Sequence, residues 1–156
     1  MSVRFSVKTE GFAELDAALA ELPKSTGKGV LRRSLLEVAE PIAEDFAARV
    51  ERRSGELQDS IGASTRLSPR QAAIARREGK SSVEVYVGAG ALPHAHLEEF
   101  GGPNNQARPA LRPAWDAGWR RALDALAAAL WAQIERTRAR MAKKAERLAA
   151  KMRAGG

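Results

Sequence analysis

The sequence predicts an α+β fold, with a small antiparallel sheet of three to four strands packed by helices and a long helix at the C-terminus. Three observations lead there. Short stretches near 3–7, 61–67 and 83–87 alternate apolar and polar residues with the period of two that a half-buried strand requires. Longer stretches carry apolar residues at i, i+3 or i+4, the spacing of one helical face. Glycine and proline stand where the period changes.

Val3, Phe5 and Val7 alternate with Arg4, Ser6 and Lys8, giving the first strand, and Gly11 interrupts it. Phe12, Leu15, Leu19 and Leu22 form a short helix that Pro23 stops, and Lys24 to Gly29 reads as a flexible link. A longer helix follows from Val30 to Arg53. Leu31, Leu35, Val38, Ile42, Phe46 and Val50 make its stripe, and Pro41 is expected to kink it without ending it. Ser54-Gly55 breaks that helix, and one turn places Leu57 beside Ile61. A second strand runs from Ile61 through Leu67. Ser68 to Ser82 is polar and reads as an exposed excursion with room for a short helix at Gln71–Arg77. Val83, Val85 and Val87 give the clearest strand. His94 to Phe100 is a brief helix closed by Gly101-Gly102-Pro103. Pro109 and Pro113 announce a last helix from Pro113 to Met152, with Trp115, Trp119, Leu123, Leu126, Leu130, Ile134, Met141, Leu148 and Met152 on its stripe.

The size suits one domain, and 44% apolar with 29% charged residues suits a folded one. A division falls at 125: an α+β domain over 1–125 and a basic extension of the last helix over 126–156. No run of apolar residues is long enough to span a membrane. Cysteine is absent, which removes disulfides, thiolate metal sites and thiol nucleophiles. The charge of +7 is uneven. Residues 131–156 hold eight Lys/Arg and two Asp/Glu, a balance of +6, whereas 1–130 hold 18 and 17, a balance of +1. Arg136, Arg140, Lys143, Lys144, Arg147 and Lys151 are therefore candidate contacts for DNA or an acidic partner. Without interleaved aromatics for base stacking, such binding would follow the phosphate backbone and weaken with salt.

Catalytic signals are weak. Lys24-Ser25-Thr26-Gly27-Lys28-Gly29 lacks the spacing of a phosphate loop and no strand precedes it. His94, His96, Glu98 and Glu99 are the one cluster with metal or acid–base potential, and a polar surface helix explains them as well. No cofactor and no enzymatic activity are expected. Trp115 and Trp119, one turn apart, either pack on the sheet or anchor a subunit interface.

Three segments together carry a resemblance. Ser54-Gly55-Glu56-Leu57-Gln58-Asp59-Ser60-Ile61 is similar to a Thr/Ser-Gly-x-Leu-x-x-Ser-Ile element. His96-Leu97-Glu98-Glu99-Phe100-Gly101 is similar to an aromatic-x-x-Glu-Phe-Gly-Thr element, with Gly102 in place of the Thr. Ala107-Arg108-Pro109-Ala110-Leu111-Arg112-Pro113-Ala114 is similar to a Pro-Phe-Leu-Arg-Pro-Ala element, with Ala110 in place of the Phe. In order and spacing, over roughly 10–125, the chain resembles the family of the Hong Kong ninety-seven phage's gene product ten.

The resemblance implies a virion structural protein of the head–tail connector or tail of a long-tailed phage or prophage, made in the host cytoplasm and built into the particle. It implies a ring-forming subunit, sixfold to match the tail, that completes the tail or joins it to the head. A tail terminator capping the tube is the alternative, and a basic DNA-binding protein a more distant one. The implied partners are further copies of the chain and neighbouring neck and tail proteins: adaptor or stopper, terminator or tube. The expected interface residues are His96, Glu99, Phe100, Arg108, Arg112, Trp115 and Trp119. Gly55, Leu57, Ile61, Gly101, Pro109 and Pro113 are expected to shape the motifs.

Overall fold

The computed structural model describes residues 12–74, 82–90 and 92–154. The protein is α+β and mostly helical. In order come α1 (Phe12–Ala20), α2 (Lys24–Arg49), α3 (Glu56–Asp59), β1 (Gly62–Ser64), α4 (Pro69–Ile74), β2 (Tyr86–Gly88), α5 (Pro93–Phe100) and α6 (Leu111–Ala154). The expected strand at 3–7 lies outside the described residues. Among those residues the sheet has two antiparallel strands, with Gly62 opposite Gly88, Ala63 opposite Val87 and Ser64 opposite Tyr86. Both strands are shorter than their alternating stretches, and the second begins at Tyr86, two-thirds of the way along its valines.

The backbone of the fold is the pairing of α2 with α6, and two apolar clusters lie along it. At one end Leu15, Ala18 and Leu22 meet Val30, Leu130 and Ile134. At the other Phe46 meets Ala110 and Ala114, flanked by Val50, Ile61 and Leu111. Burying an aliphatic side chain contributes about 1.5–3 kcal/mol, so the first cluster is what ties α1 to the pair.

The expected flexible link at Lys24–Gly29 is corrected: α2 begins at Lys24, directly after Pro23. Gly27 is buried there, and a Cβ on it would sit 3.6 Å from the Leu19 carbonyl oxygen. The start of α2 therefore packs against the end of α1, and a glycine that looks like a linker residue is part of a buried helix. The same helix ends at Arg49, four residues sooner than expected, and runs through Pro41 as one element. In the polar excursion, Ser68 and Gln71 bond reciprocally: the Gln71 backbone N–H donates to Ser68 Oγ (3.3 Å), and the Ser68 N–H donates to Gln71 Oε1 (3.0 Å). This capping box starts α4 at Pro69.

The buried stripe of α6 differs from the expected one. Ala114, Ala129, Leu130, Gln133, Ile134 and Thr137 are buried, while Trp115 is 50% exposed. The cause is the closeness of α2. A Cβ on Gly118 would lie 2.7 Å from Ile42 Cγ1, so only a small residue fits where the helices cross at Ile42, and Trp115 is displaced to the flank, while Leu130 and Ile134 fill the seam further along. Further along, Arg33 Nε donates to Gln133 Oε1 (3.2 Å) and Gln133 Nε2 donates to Glu37 Oε2 (3.3 Å), a polar clasp across the same two helices. Beside it Ser34 is fully buried, and its hydroxyl has no partner among the described residues.

Candidate functional site

The three motif segments, the first more than thirty residues ahead of the other two, meet at one end of the α2–α6 pair. The first turns the chain after α2. Gly55 has φ +86°, a left-handed conformation that only glycine adopts readily, and precedes α3. Gln58 Nε2 donates to the Ala47 carbonyl (2.9 Å), which pins the turn back onto α2. Leu57 is half-buried, and Ile61 packs on the cluster of Phe46, Ala110 and Ala114. Ser60 Oγ donates to the Leu57 carbonyl (2.7 Å) and accepts from the Gly90 N–H (3.2 Å), so the same turn holds the exit of β2.

The second motif closes α5. Gly101 has φ +76° and ψ 179°, a region essentially reserved for glycine. A Cβ there would also lie 3.0 Å from both Ala107 N and Asn105 O. The loop that follows is a tight one: Gly102 N–H donates to Asn105 O (2.9 Å) and Asn105 N–H to Gly102 O (3.2 Å).

Glu99 joins the second motif to the third. Its carboxylate accepts backbone N–H bonds from Ala110 (2.8 Å), Leu111 (3.0 Å) and Arg112 (3.1 Å). These are donors at the start of α6 that have no partner inside the helix. A carboxylate held there also faces the positive end of the helix dipole. Partial burial pushes the Glu99 pKa up, but the three backbone donors and the nearby Arg112 charge outweigh it, and the pKa falls below its ordinary value. Pro109 and Pro113 bracket this capped start, as expected for a first helical turn. Arg108 reinforces the joint: its N–H donates to the Glu98 carbonyl (2.7 Å), and its guanidinium pairs with Glu51. Arg53 lies 3.6 Å from Glu98 and 3.7 Å from Glu51. These ion pairs are largely exposed and individually weak.

The expected interface residues therefore separate into two groups. Glu99 and Arg108 are engaged within the chain. Phe100, Arg112 and Trp115 line a surface depression with Val87 and Asp116, and the His96 ring lies tilted by 45° against the Phe100 ring, 4.8 Å between centroids, with Phe100 67% exposed. Trp115 and Trp119 also border an apolar groove of about 550 Å³ with Leu35, Val38, Leu123 and the valines of 83–87. The Arg120 guanidinium lies 4.9 Å over the Trp119 ring. Arg136, Arg140, Lys143, Lys144, Arg147 and Lys151 are all exposed on the outer part of α6, remote from the joint. Sequence reasoning missed Glu51 and Arg53, whose exposed charges carry no periodic signal. It also missed Gly118, which reads as an ordinary helix defect. Among the described residues no group of three or more His, Cys, Asp or Glu is placed to hold a metal ion, and no helix is long and apolar enough to cross a membrane.

Residues 13–101 match the HK97-gp10-like family model, described as "Bacteriophage HK97-gp10, putative tail-component". That is more than half of the chain. The protein belongs to the HK97-gp10-like family. No curated protein and no solved structure matches it. The matched span ends at Gly101, the glycine that closes α5. Two of the three motifs lie within it, and the third lies beyond, at the start of α6. The Glu99 carboxylate adds a polar link between the HK97-gp10-like portion and the start of the long helix, beside the α2–α6 packing that joins them along its length.

Proposed function

We propose that this HK97-gp10-like chain is a non-catalytic, ring-forming structural subunit at the neck or tail of a tailed-phage particle, acting in tail completion or head–tail joining. The observation that carries this reading is the joint at Glu99. The residues that make the motifs recognisable hold three segments in register, as a scaffold requires. They leave an exposed aromatic and cationic face (His96, Phe100, Arg112 and Trp115), with the half-buried Trp119 beside it, for neighbours. A cyclic subunit offers two different faces to successive copies, and a sixfold ring would match the tail symmetry. The adjoining neck and tail proteins are the other partners: adaptor or stopper, and terminator or tube.

The test is removal of the gene from the phage or prophage that carries it. Filled heads and unattached or defective tails should accumulate and infectivity should fall. Normal infectious particles would overturn the proposal. A second reading, backbone-directed contact with DNA, is favoured by the +6 balance of residues 131–156. It predicts duplex binding that falls steeply with salt.

A further inference from the structure

Among the described residues, nothing packs on the outer part of α6 that would account for its sequence. Every residue from 139 to 154 is exposed. Sixteen residues at about 1.5 Å each make a rod of roughly 24 Å beyond the body. Met141, Ala145, Leu148 and Met152 follow one another at spacings of four, three and four, the alternation of a coiled-coil seam. Met141, Leu148 and Met152 are 43%, 60% and 73% exposed. Around that seam stand six basic residues (Arg140, Lys143, Lys144, Arg147, Lys151 and Arg153) and one acid, Glu146, a balance of +5.

A surface of matching shape and opposite charge lies on the same chain. Between α2 and the middle of α6 runs an open valley of about 580 Å³, floored by Pro41, Ile42, Gly118 and the alanines at 122, 125 and 129. Its α6 wall reaches from Gly118 to Ala132, about 21 Å of helix and close to the length of the rod. Small side chains on the floor let another helix approach closely. The α2 side is acidic: Glu37, which accepts from Gln133, and Asp45, paired with Arg49 at 3.0 Å, line the valley, and the exposed Glu40 and Glu44 stand on the same stretch of α2, which holds no Lys or Arg from 37 to 45. Arg121 also lines it, with its guanidinium donating to the Ala117 carbonyl of its own helix (3.4 Å).

The rod cannot reach this valley in its own molecule, because both belong to one unbroken helix. We propose that the rod of one subunit docks in the α2–α6 valley of the next copy, with Met141, Leu148 and Met152 facing the alanine floor and the basic flanks facing the acids of α2. Rod and valley are different surfaces, so the contact is head-to-tail and propagates around a ring. It uses helix-in-groove recognition, with apolar anchors at helical spacing. This inference rests on the proposed self-assembly and adds the surfaces through which it occurs.

Two full-length charge reversals test it: Glu40→Lys with Glu44→Lys, and Lys143→Glu with Arg147→Glu. All four side chains are exposed, so folding is checked simply by circular dichroism and melting. Light scattering after size exclusion reads the assembly state. The unmodified protein should form an oligomer that weakens as salt rises. Each variant alone should self-associate on the order of tenfold more weakly or worse, and mixing the two variants should restore a mixed oligomer. If both variants assemble like the unmodified chain, or if mixing restores nothing, the rod-in-valley contact is wrong and ring formation by another face stands. A full chain that stays monomeric overturns the self-assembly reading itself. Full chain that remains monomeric but shifts duplex DNA assigns the rod to DNA and removes the inference as well.

Discussion

Replacing Glu99 with alanine should be among the most damaging changes of a partly exposed side chain in this protein. The carboxylate accepts three backbone N–H bonds of 2.8, 3.0 and 3.1 Å at the start of a 44-residue helix. Loss of a single helix cap costs about 1 kcal/mol, and a charge facing the helix dipole adds about 0.3–1 kcal/mol. With three donors lost together, and with water able to replace part of what is removed, about 2 kcal/mol is expected. For a chain of this size, that lowers Tm by roughly 4–8 °C. Differential scanning calorimetry measures it directly. Glu99→Gln keeps an acceptor oxygen and should lose less. The pKa of Glu99 is lowered in the fold, so its contribution is fully present above the ordinary value of 4.5 and disappears as pH drops through the lower folded value. The Tm gap between the native protein and Glu99→Ala should therefore be widest near neutrality and narrow in acid. An unchanged Tm at pH 7, or a gap that widens in acid, would refute the capping argument.

Gly101→Ala should cost about 2–3 kcal/mol in chemical denaturation, because it adds a Cβ in a glycine-only conformation and 3.0 Å from two backbone atoms; native stability would mean the loop relaxes freely. Gly118→Ala gains about 1 kcal/mol of helix propensity but drives a methyl to 2.7 Å from the buried Ile42. A net loss of about 1 kcal/mol is expected, and a more stable variant would show that the helices do not approach so closely. Ser34→Ala should raise stability by about 1 kcal/mol, since it removes a buried hydroxyl without a partner among the described residues; a loss of that size would reveal a hidden bond. Arg108→Ala should change stability by less than about 1 kcal/mol, because its pairing with Glu51 is more than half exposed. A larger loss would promote that ion pair to a structural one.

Much of the fold was legible because apolar periodicity reports burial. The stripe of Ile42 and Phe46 and the run from Leu126 to Ile134 lie where the period places them. What failed to show was governed by close approach, which periodicity does not measure. Gly27 resembles a linker residue until α1 is seen beside it, and Gly118 resembles a weak point until Ile42 is seen against it. Trp115 and Trp119 sit on the expected helix but flank the seam, because the helices lie too near for an indole between them. The motifs were visible as words without their grammar. Glu99 attracted notice as a charged residue beside histidines, yet its partners are backbone N–H groups eleven to thirteen residues ahead, and no side-chain pattern encodes those.

One uninterrupted helix serves both as half of the core and as the projecting arm, and this makes the molecule a lever. From Gly118 to Ala154 is about 54 Å at helical rise. A tilt of about ten degrees where α6 crosses Ile42 would then move the tip by about 9 Å, several times the tolerance of any side-chain fit. Interior packing of one methyl group is thereby magnified into the position of the far end of the arm.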